Sequence, residues 1–119
     1  MKAKALLLAA LLSSSAIAQT ASSEIGQLFK SLETSGCEFN RNGTWYNSQK
    51  ASEHLRRKYG YLLKKGLVTS TESFIDLATS KSSLSGKPYL VRCGQSTPVL
   101  SKSWFLVKLS ELRKTPGGR

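Results

Sequence analysis

The chain has 119 residues, of which 39% are hydrophobic and 21% are charged, values that are ordinary for a globular protein. Its length suits one domain, and its composition excludes the collagen-like, coiled-coil and fully disordered classes. The unusual feature is charge, because 18 Lys and Arg residues against 7 Asp and Glu residues give a formal net charge of +11.

The N-terminal segment has the three regions of a secretory signal peptide. A short start with two lysines precedes an uninterrupted apolar run over residues 5–12, and the segment ends in Ala-Ile-Ala. Only small side chains fit signal peptidase, so we expect cleavage between Ala18 and Gln19 and a periplasmic mature protein. The apolar run is too short to span a membrane, which takes about 20 residues.

Removal of this leader defines the remaining organisation of the chain. The predicted signal peptide covers residues 1–18, a single small globular domain covers residues 19–114, and a flexible tail covers residues 115–119. Loss of the two leader lysines lowers the net charge from +11 to +9. We find no internal repeat and no linker.

The two cysteines predict one disulfide. Cys37 and Cys93 both lie in the mature chain, and an even number of cysteines in an oxidising compartment indicates pairing. The alternative is that both are ligands of a metal site. That site has little to complete it, because His54 is the only histidine and Asp76 the only aspartate. We therefore expect a disulfide, no metal and no cofactor.

The first part of the mature chain predicts a helix, a tight turn and a second helix. The first helix covers about residues 23–34, ends near Gly36, and has an apolar stripe at helical spacing: Ile25, Leu28, Phe29 and Leu32. Asn42-Gly43 predicts a tight turn or hairpin. The second helix covers about residues 48–65, with an N-cap offered by Asn47-Ser48 and an apolar face formed by Ala51, Leu55, Tyr59 and Leu62.

The second part predicts a short helix, a strand and a last helix. Residues 69–72 fit a capping box with a hydroxyl at the N-cap and Glu72 at N3. The helix that follows runs to about Thr79 and presents Phe74, Ile75, Leu77 and Ala78. A polar loop over residues 80–88 leads to a strand over residues 89–93. After a turn at residues 94–98, the last helix covers about residues 100–113 and carries Trp104, Phe105, Leu109 and Leu112.

The cysteine positions also predict how the strands pair. Cys37 begins one strand and Cys93 ends another, so a bridge between them requires the two strands to run antiparallel. We therefore predict an α+β fold in which about four helices pack on a small antiparallel sheet of two or three strands, with one disulfide.

Four segments together resemble a known family. They are SGCxFxRNGxxY at residues 35–46, AxxHLxxK at 51–58, TExFI at 71–75 and SSxSGKPY at 82–89. In this order they are similar to domain of unknown function 5329, a YfeK-like family of small exported proteobacterial proteins, over roughly residues 24–113. The resemblance implies a periplasmic address and no assigned activity, so it supplies no functional residues.

Two features of the sequence could take part in catalysis or binding: His54 and residues 82–87, which we call the serine loop. His54 is the only side chain that titrates near neutrality without help, but no carboxylate shares its helix face to orient it as a base. We interpret it as a hydrogen-bonding residue that ties the second helix to the turn at residues 41–43. The loop at residues 82–87 lacks both the S-x-x-K spacing and a P-loop pattern, so it suggests an anion- or sugar-binding loop or a plain solvated connection.

The strand pairing places the turn and the serine loop at the same end of the sheet. We therefore predict a shared polar cleft, because loops above a rigid scaffold are common binding sites. Its members would be Arg41, Asn42, His54, Ser82, Ser83, Ser85 and Lys87, with Tyr46 and Tyr89 as walls. The alternative is that Asn42-Gly43 only makes the turn and the serines only cap helix ends.

Three functions remain open from the sequence. The first is a non-enzymatic binding module for an anionic envelope lipid or glycan or for a periplasmic protein, which the positive charge favours. The second is a small hydrolase that uses His54 with the loop Ser82–Lys87, and the third is an inhibitor or immunity protein. Export argues against nucleic acid as a partner, and the cations are spread along the chain rather than gathered in one block.

Overall fold

A computed structural model describes residues 20–114 of the chain, which form helices and one antiparallel sheet. The predicted signal peptide and the predicted tail lie outside the described residues. The elements in chain order are α1 (residues 20–34), β1 (Glu38–Arg41), β2 (Thr44–Asn47), α2 (Ser48–Lys64), α3 (Thr71–Phe74) continued by a π-helical turn (Ile75–Thr79), β3 (Leu90–Arg92), β4 (Val99–Leu100) and α4 (Ser101–Lys114). The predicted α+β class is therefore confirmed.

Helix α1 buries the stripe that its sequence predicts. The four apolar residues are at most 1% exposed: Ile25, Leu28, Phe29 and Leu32. Gly36 follows the helix with a φ of +69°, the left-handed conformation that glycine adopts without steric strain. The side chain of Glu24 projects from this helix to accept hydrogen bonds from Thr71 and Arg113, so α1 is tied to both α3 and α4.

Strands β1 and β2 form the hairpin predicted at Asn42-Gly43. Both turn residues have positive φ values, +53° for Asn42 and +87° for Gly43, as a two-residue type I′ turn requires. The strands pair antiparallel with Arg41 opposite Thr44 at the turn end. The hairpin therefore fixes Arg41 and Asn42 at one corner of the sheet.

The centre of the sheet is the strand pair that the disulfide predicts. Strands β1 and β3 run antiparallel, with Glu38 opposite Arg92, and the bond between Cys37 and Cys93 closes that end. The sheet has four strands in the order β2-β1-β3-β4, against the two or three expected. The additional strand β4 has only two residues, which is too short to show an alternating pattern in the sequence.

Helix α2 begins at the predicted residue and ends at Lys64, one residue before the predicted end. The Asn47 side chain accepts a hydrogen bond from the Lys50 amide and caps the first turn. Gly66, with a φ of +68°, lets the chain leave the helix after Lys65. Its inward face buries Ala51 and Leu55 completely or nearly so, and it contacts β1 and β2.

The capping box of α3 lies one residue later than its predicted position. Ser70 is the N-cap, and its hydroxyl accepts from the Ser73 amide while the Ser73 hydroxyl reaches back to the Ser70 amide. A hydroxyl at N3 thus replaces the predicted carboxylate. The register with Glu72 at N3 is therefore wrong, because Ser70 and Ser73 satisfy each other's amides, and Glu72 accepts hydrogen bonds from Arg113 of α4.

The turn that continues α3 changes which side chains face inward. Ile75–Thr79 is π-helical, with side-chain hydroxyls of Thr79 and Ser80 donating to the Ile75 carbonyl. The wider winding alters the angle between successive side chains. Phe74, Ile75 and Ala78 are buried as predicted, but Leu77 is 42% exposed, so the prediction that Leu77 packs inward is wrong.

The helices share one hydrophobic core with the sheet. Phe39 and Val91 lie opposite each other on neighbouring strands and are each 1% exposed. The ring of Phe74 packs edge-on against Phe29 and Tyr59, with centroids 5.5 and 5.2 Å away. Within residues 20–114, no helix is both long enough and apolar enough to cross a membrane.

Candidate functional site

Tyr89 is the centre of a polar cluster between the sheet and helix α2. Its ring is 1% exposed and packs against Phe39, with centroids 5.0 Å apart. Its hydroxyl oxygen lies 3.0 Å from His54 Nε2 and 3.3 Å from Lys58 Nζ. His54 and Lys58 are four residues apart, so they lie on one face of α2 and converge on the same oxygen.

The Tyr89 oxygen joins two side chains of α2 by hydrogen bonds. A lysine ammonium can only donate, so Lys58 donates to the Tyr89 oxygen. The tautomer of the His54 ring sets which partner donates in the bond between Tyr89 and Nε2. Lys58 also donates to the Lys81 carbonyl at 3.0 Å, and its ammonium lies 4.9 Å from the Tyr89 ring centroid. Lys58 thus links α2 to Lys81, which precedes the serine loop, and to Tyr89, which follows it.

Burial and neighbouring cations shift the titration of all three groups. The pKa of His54 is lowered from 6.5 to about 4, mainly by burial and then by the charges of Arg41, Lys58 and Arg57. Burial and Arg41 lower the pKa of Lys58 as well. Burial raises the pKa of Tyr89, and Arg41 opposes this rise. At neutral pH His54 is therefore uncharged, and the surrounding positive charge comes from the two arginines and Lys58.

Arg41 reaches the cluster from the sheet. It is the last residue of β1, two positions after buried Phe39, so both side chains leave the strand on the same face. Its guanidinium carbon lies 4.9 Å from the centroid of the Tyr46 ring on the paired strand, a cation–π contact that holds the side chain. Tyr46 is therefore a support for Arg41.

The acidic residues of the chain are engaged elsewhere. All seven lie within residues 20–114, and each is ion-paired with a Lys or Arg: Glu24 and Glu72 with Arg113, Glu33 with Arg56, Glu38 with Arg92, Glu53 with Lys50, Asp76 with Lys102 and Glu111 with Lys108. Among these residues, no carboxylate forms an ion pair with Arg41, Arg57 or Lys58. We call Arg41, Arg57 and Lys58, together with the neutral His54 beside them, the cationic cluster.

The serine loop is attached to the hairpin turn by Asn42. The Asn42 amide donates to the Ser82 hydroxyl at 3.3 Å, and its carbonyl oxygen accepts from the Ser85 hydroxyl at 2.5 Å. The Ser82 hydroxyl, 4% exposed, also accepts from the amides of Leu84 and Ser85. The turn and the loop therefore lie together, and the Ser82 and Ser85 hydroxyls are used to shape the loop.

A cavity of about 440 Å³ opens beside the cationic cluster. Its polar lining comes from His54, Arg57, Lys58 and Ser83, and its apolar lining from Tyr61, Leu62 and Leu77. A second cavity of about 530 Å³ is lined mainly by the serine loop and shares Leu77 and Ser83 with the first. The first cavity places His54, Arg57 and Lys58 within reach of a ligand.

The structure brings most of the sequence-predicted residues into one region. Arg41, His54 and Tyr89 form one part, and Asn42 with Ser82, Ser83 and Ser85 forms the other. Lys87 takes part through its backbone, donating to the Ser85 hydroxyl and accepting from the Ser82 amide, while its side chain is exposed.

Two features of the site differ from the sequence reading. His54 bonds to the hydroxyl of Tyr89, the residue that precedes β3, and not to the hairpin turn. Lys58 and Arg57 belong to the site but were not among its predicted members. The four-residue spacing between His54 and Lys58 is the signal that indicates a shared helix face. No group of three or more His, Cys, Asp or Glu residues in the described chain is arranged to hold a metal ion.

The fold and the site define a small disulfide-bonded α+β protein with a cationic cavity. The model of a family of unknown function, DUF5329, matches residues 19–113, so the chain belongs to that family and the resemblance of its motifs is confirmed. Over 51 residues the chain is 43% identical to a protein of Salmonella typhimurium named uncharacterized protein YfeK. The aligned part is 43% of this chain and 41% of that relative, less than half of its length. No solved structure shows significant similarity.

Proposed function

We propose that the protein is an exported periplasmic binding module, without catalytic activity, that takes an anionic group of an envelope component or partner protein. The observation that carries the proposal is the cationic cluster. Arg57 and Lys58 line one cavity, and the charge of Arg41 acts on His54 and Lys58 beside it, while each carboxylate in the chain is paired elsewhere. Periplasmic export follows from the predicted signal peptide and is part of the same proposal.

The electrostatics of the cluster favour an anion as the ligand. Like charges held close together repel, and this repulsion is larger in a partly buried site than in water. The lowered pKa values of His54 and Lys58 express that repulsion together with burial. A bound anion would offset the repulsion, since it neutralises positive charge and accepts hydrogen bonds from Arg57 and Lys58.

The same geometry argues against the hydrolase alternative. A catalytic histidine needs an acceptor that orients it and a pKa near the working pH. The Nε2 of His54 is occupied by the Tyr89 hydroxyl, and its pKa of about 4 makes it a weak base. Ser83 lines the cavity, but the Ser82 hydroxyl is buried and bonded within the loop. These contacts support binding without catalysis.

Titration with inorganic phosphate, followed by NMR, tests the proposal. We expect phosphate to shift the signals of His54 and Lys58, with an affinity that falls as salt is added. Arg57→Gln should weaken binding about tenfold, and Arg41→Gln should weaken it less, because Arg41 acts on His54 and Lys58 through its charge and does not line the cavity. Lys30→Gln is the matched control, because it removes the same charge from an exposed position of α1 that does not line the cavity, and it should leave binding unchanged.

Two results would overturn the proposal. The first is the absence of any saturable shift at the cationic cluster. The second is equal weakening by Lys30→Gln and the arginine variants, which would mean that phosphate responds only to net charge. Circular dichroism of each variant establishes that the fold is retained, as expected for exposed or half-exposed side chains.

A further inference from the structure

The cavity beside the cationic cluster has a second, apolar side. Tyr61 is 60% exposed and Leu77 is 42% exposed, and both line the cavity together with buried Leu62. Large apolar side chains open to water are common on protein surfaces. Here they come from two separate elements, α2 and the π-helical turn, and face the same cavity as His54, Arg57 and Lys58.

Leu77 reaches this wall from an unusual backbone conformation. Residues 75–79 form a π-helical turn, in which Leu77 is exposed at the cavity while Ile75 and Ala78 are buried. Single π-helical turns are rare and occur frequently at functional sites. This conformation is an observation independent of the charges around His54.

From the two sides of the cavity we infer that the ligand is a single-chain amphiphilic anion, such as an alkyl phosphate or a fatty carboxylate. The head group would contact Arg57 and Lys58, and the hydrocarbon chain would lie against Tyr61, Leu62 and Leu77. This inference rests on the proposed anion-binding function and adds the chemical class of the ligand. The cavity volume of about 440 Å³ fits one small molecule, since ligand cavities span about 300–1,000 Å³.

The energetics give the apolar side a measurable role. Each methylene group that moves from water to an apolar surface strengthens binding about fourfold when it is fully buried. An open cavity buries only part of a hydrocarbon chain, which reduces this gain. Even so, we expect an eight-carbon chain to improve binding at least tenfold over the bare head group. A neutral head group on the same chain loses the contacts with the cations and should bind weakly.

The experiment compares three probes below their critical micelle concentrations: inorganic phosphate, octyl phosphate and octyl glucoside. We expect octyl phosphate to bind at least tenfold more tightly than inorganic phosphate, and octyl glucoside to bind more weakly than octyl phosphate by a similar factor. Leu77→Ser should remove most of the advantage of octyl phosphate and leave phosphate binding intact. Leu84→Ser is the matched control, because Leu84 is 97% exposed in the serine loop and lines neither cavity.

The outcomes separate this inference from the function on which it rests. Equal affinities for phosphate and octyl phosphate would overturn the amphiphile inference and leave anion binding standing. Failure of both probes to bind would overturn the proposed function itself. Equal losses in Leu77→Ser and Leu84→Ser would show nonspecific adsorption and overturn the inference. A last arm uses vesicles of anionic phospholipid: binding to vesicles without binding to monomeric octyl phosphate would overturn the single-chain ligand in favour of a lipid surface.

Discussion

The hydroxyl of Tyr89 lies 3.0 Å from His54 Nε2 and 3.3 Å from Lys58 Nζ, although Tyr89 and His54 are 35 residues apart in the chain. This contact is the structural link between helix α2 and the segment that enters β3. It also brings together two of the segments that resemble the family, residues 51–58 and residues 82–89. The first prediction concerns this hydroxyl.

Tyr89→Phe removes the hydroxyl and keeps the buried ring. We expect the free energy of unfolding to fall by about 1–3 kcal/mol, because His54 and Lys58 lose a partner in a half-buried site. Urea unfolding measures the change. Tyr61→Phe is the control, since that tyrosine is 60% exposed and its variant should stay within about 0.5 kcal/mol of the parent. Equal effects from the two variants would contradict the role of the Tyr89 hydroxyl.

The stability of the protein should depend on the titration of His54. Its pKa is about 4 when folded and about 6.5 when unfolded, so the unfolded chain binds the extra proton between these values. Stability should therefore be lost as the pH falls from about 6.5 toward 4. The groups that face His54 are Arg41 from β1, Arg57 and Lys58 from α2, and the Tyr89 hydroxyl.

His54→Gln tests this dependence by removing the titrating group. Between pH 7 and pH 5 the variant should show a flatter dependence of its unfolding free energy on pH than the parent protein. The window stops at pH 5 because Glu24, Glu33 and Glu72, whose pKa values are lowered by hydrogen bonds, begin to lose their contribution below about pH 4.5. Parallel pH profiles would contradict the assignment to His54.

Substitution of Ser82 should lower stability much more than substitution of its neighbour Ser83. The buried Ser82 hydroxyl accepts hydrogen bonds from Asn42 and from the amides of Leu84 and Ser85. Ser82→Ala should lower stability by about 1–3 kcal/mol and speed hydrogen exchange at those two amides. Ser83→Ala, at an exposed position, should change stability by less than about 0.5 kcal/mol. Faster exchange in both variants would indicate that the loop is not organised by Ser82.

The disulfide should supply a large part of the stability. The bond between Cys37 and Cys93 spans 56 positions of sequence, and chain entropy predicts a stabilisation of roughly 4 kcal/mol for a loop of this size. The double variant Cys37→Ser with Cys93→Ser should therefore unfold at a much lower urea concentration than the parent. The parent measured with reducing agent is the control and should match the double variant. A reduced protein as stable as the oxidised one would contradict this prediction.

Export can be measured directly at the N-terminus. We expect mass spectrometry of the protein from a periplasmic fraction to give a chain that begins at Gln19, because Ala16-Ile17-Ala18 presents small residues to signal peptidase. Ala18→Arg should block this cleavage and retain the longer form. A chain that keeps residues 1–18 in the unaltered protein would contradict the predicted leader.

The sequence by itself determined the local elements of the fold. The apolar stripe of α1, the turn at Asn42-Gly43 and the Asn47 cap each depend on residues close together in the chain, so their patterns can be read directly. The pairing of the two strands also followed, because a bond between Cys37 and Cys93 fixes their direction. The strand β4 was too short to leave such a pattern.

Only the tertiary structure determined which cationic side chains face the cavity without a carboxylate partner. Along the chain the cations are spread evenly, and nothing in their spacing separates Arg57 from its neighbour Arg56. In the fold, Arg56 pairs with Glu33 of α1, while Arg57 faces the cavity with His54 and Lys58. Coulomb interactions depend on distance in space, and pairs such as Arg113 with Glu24 join residues from opposite ends of the described chain. The cationic cluster therefore exists only in the folded chain, where the carboxylates pair with other cations.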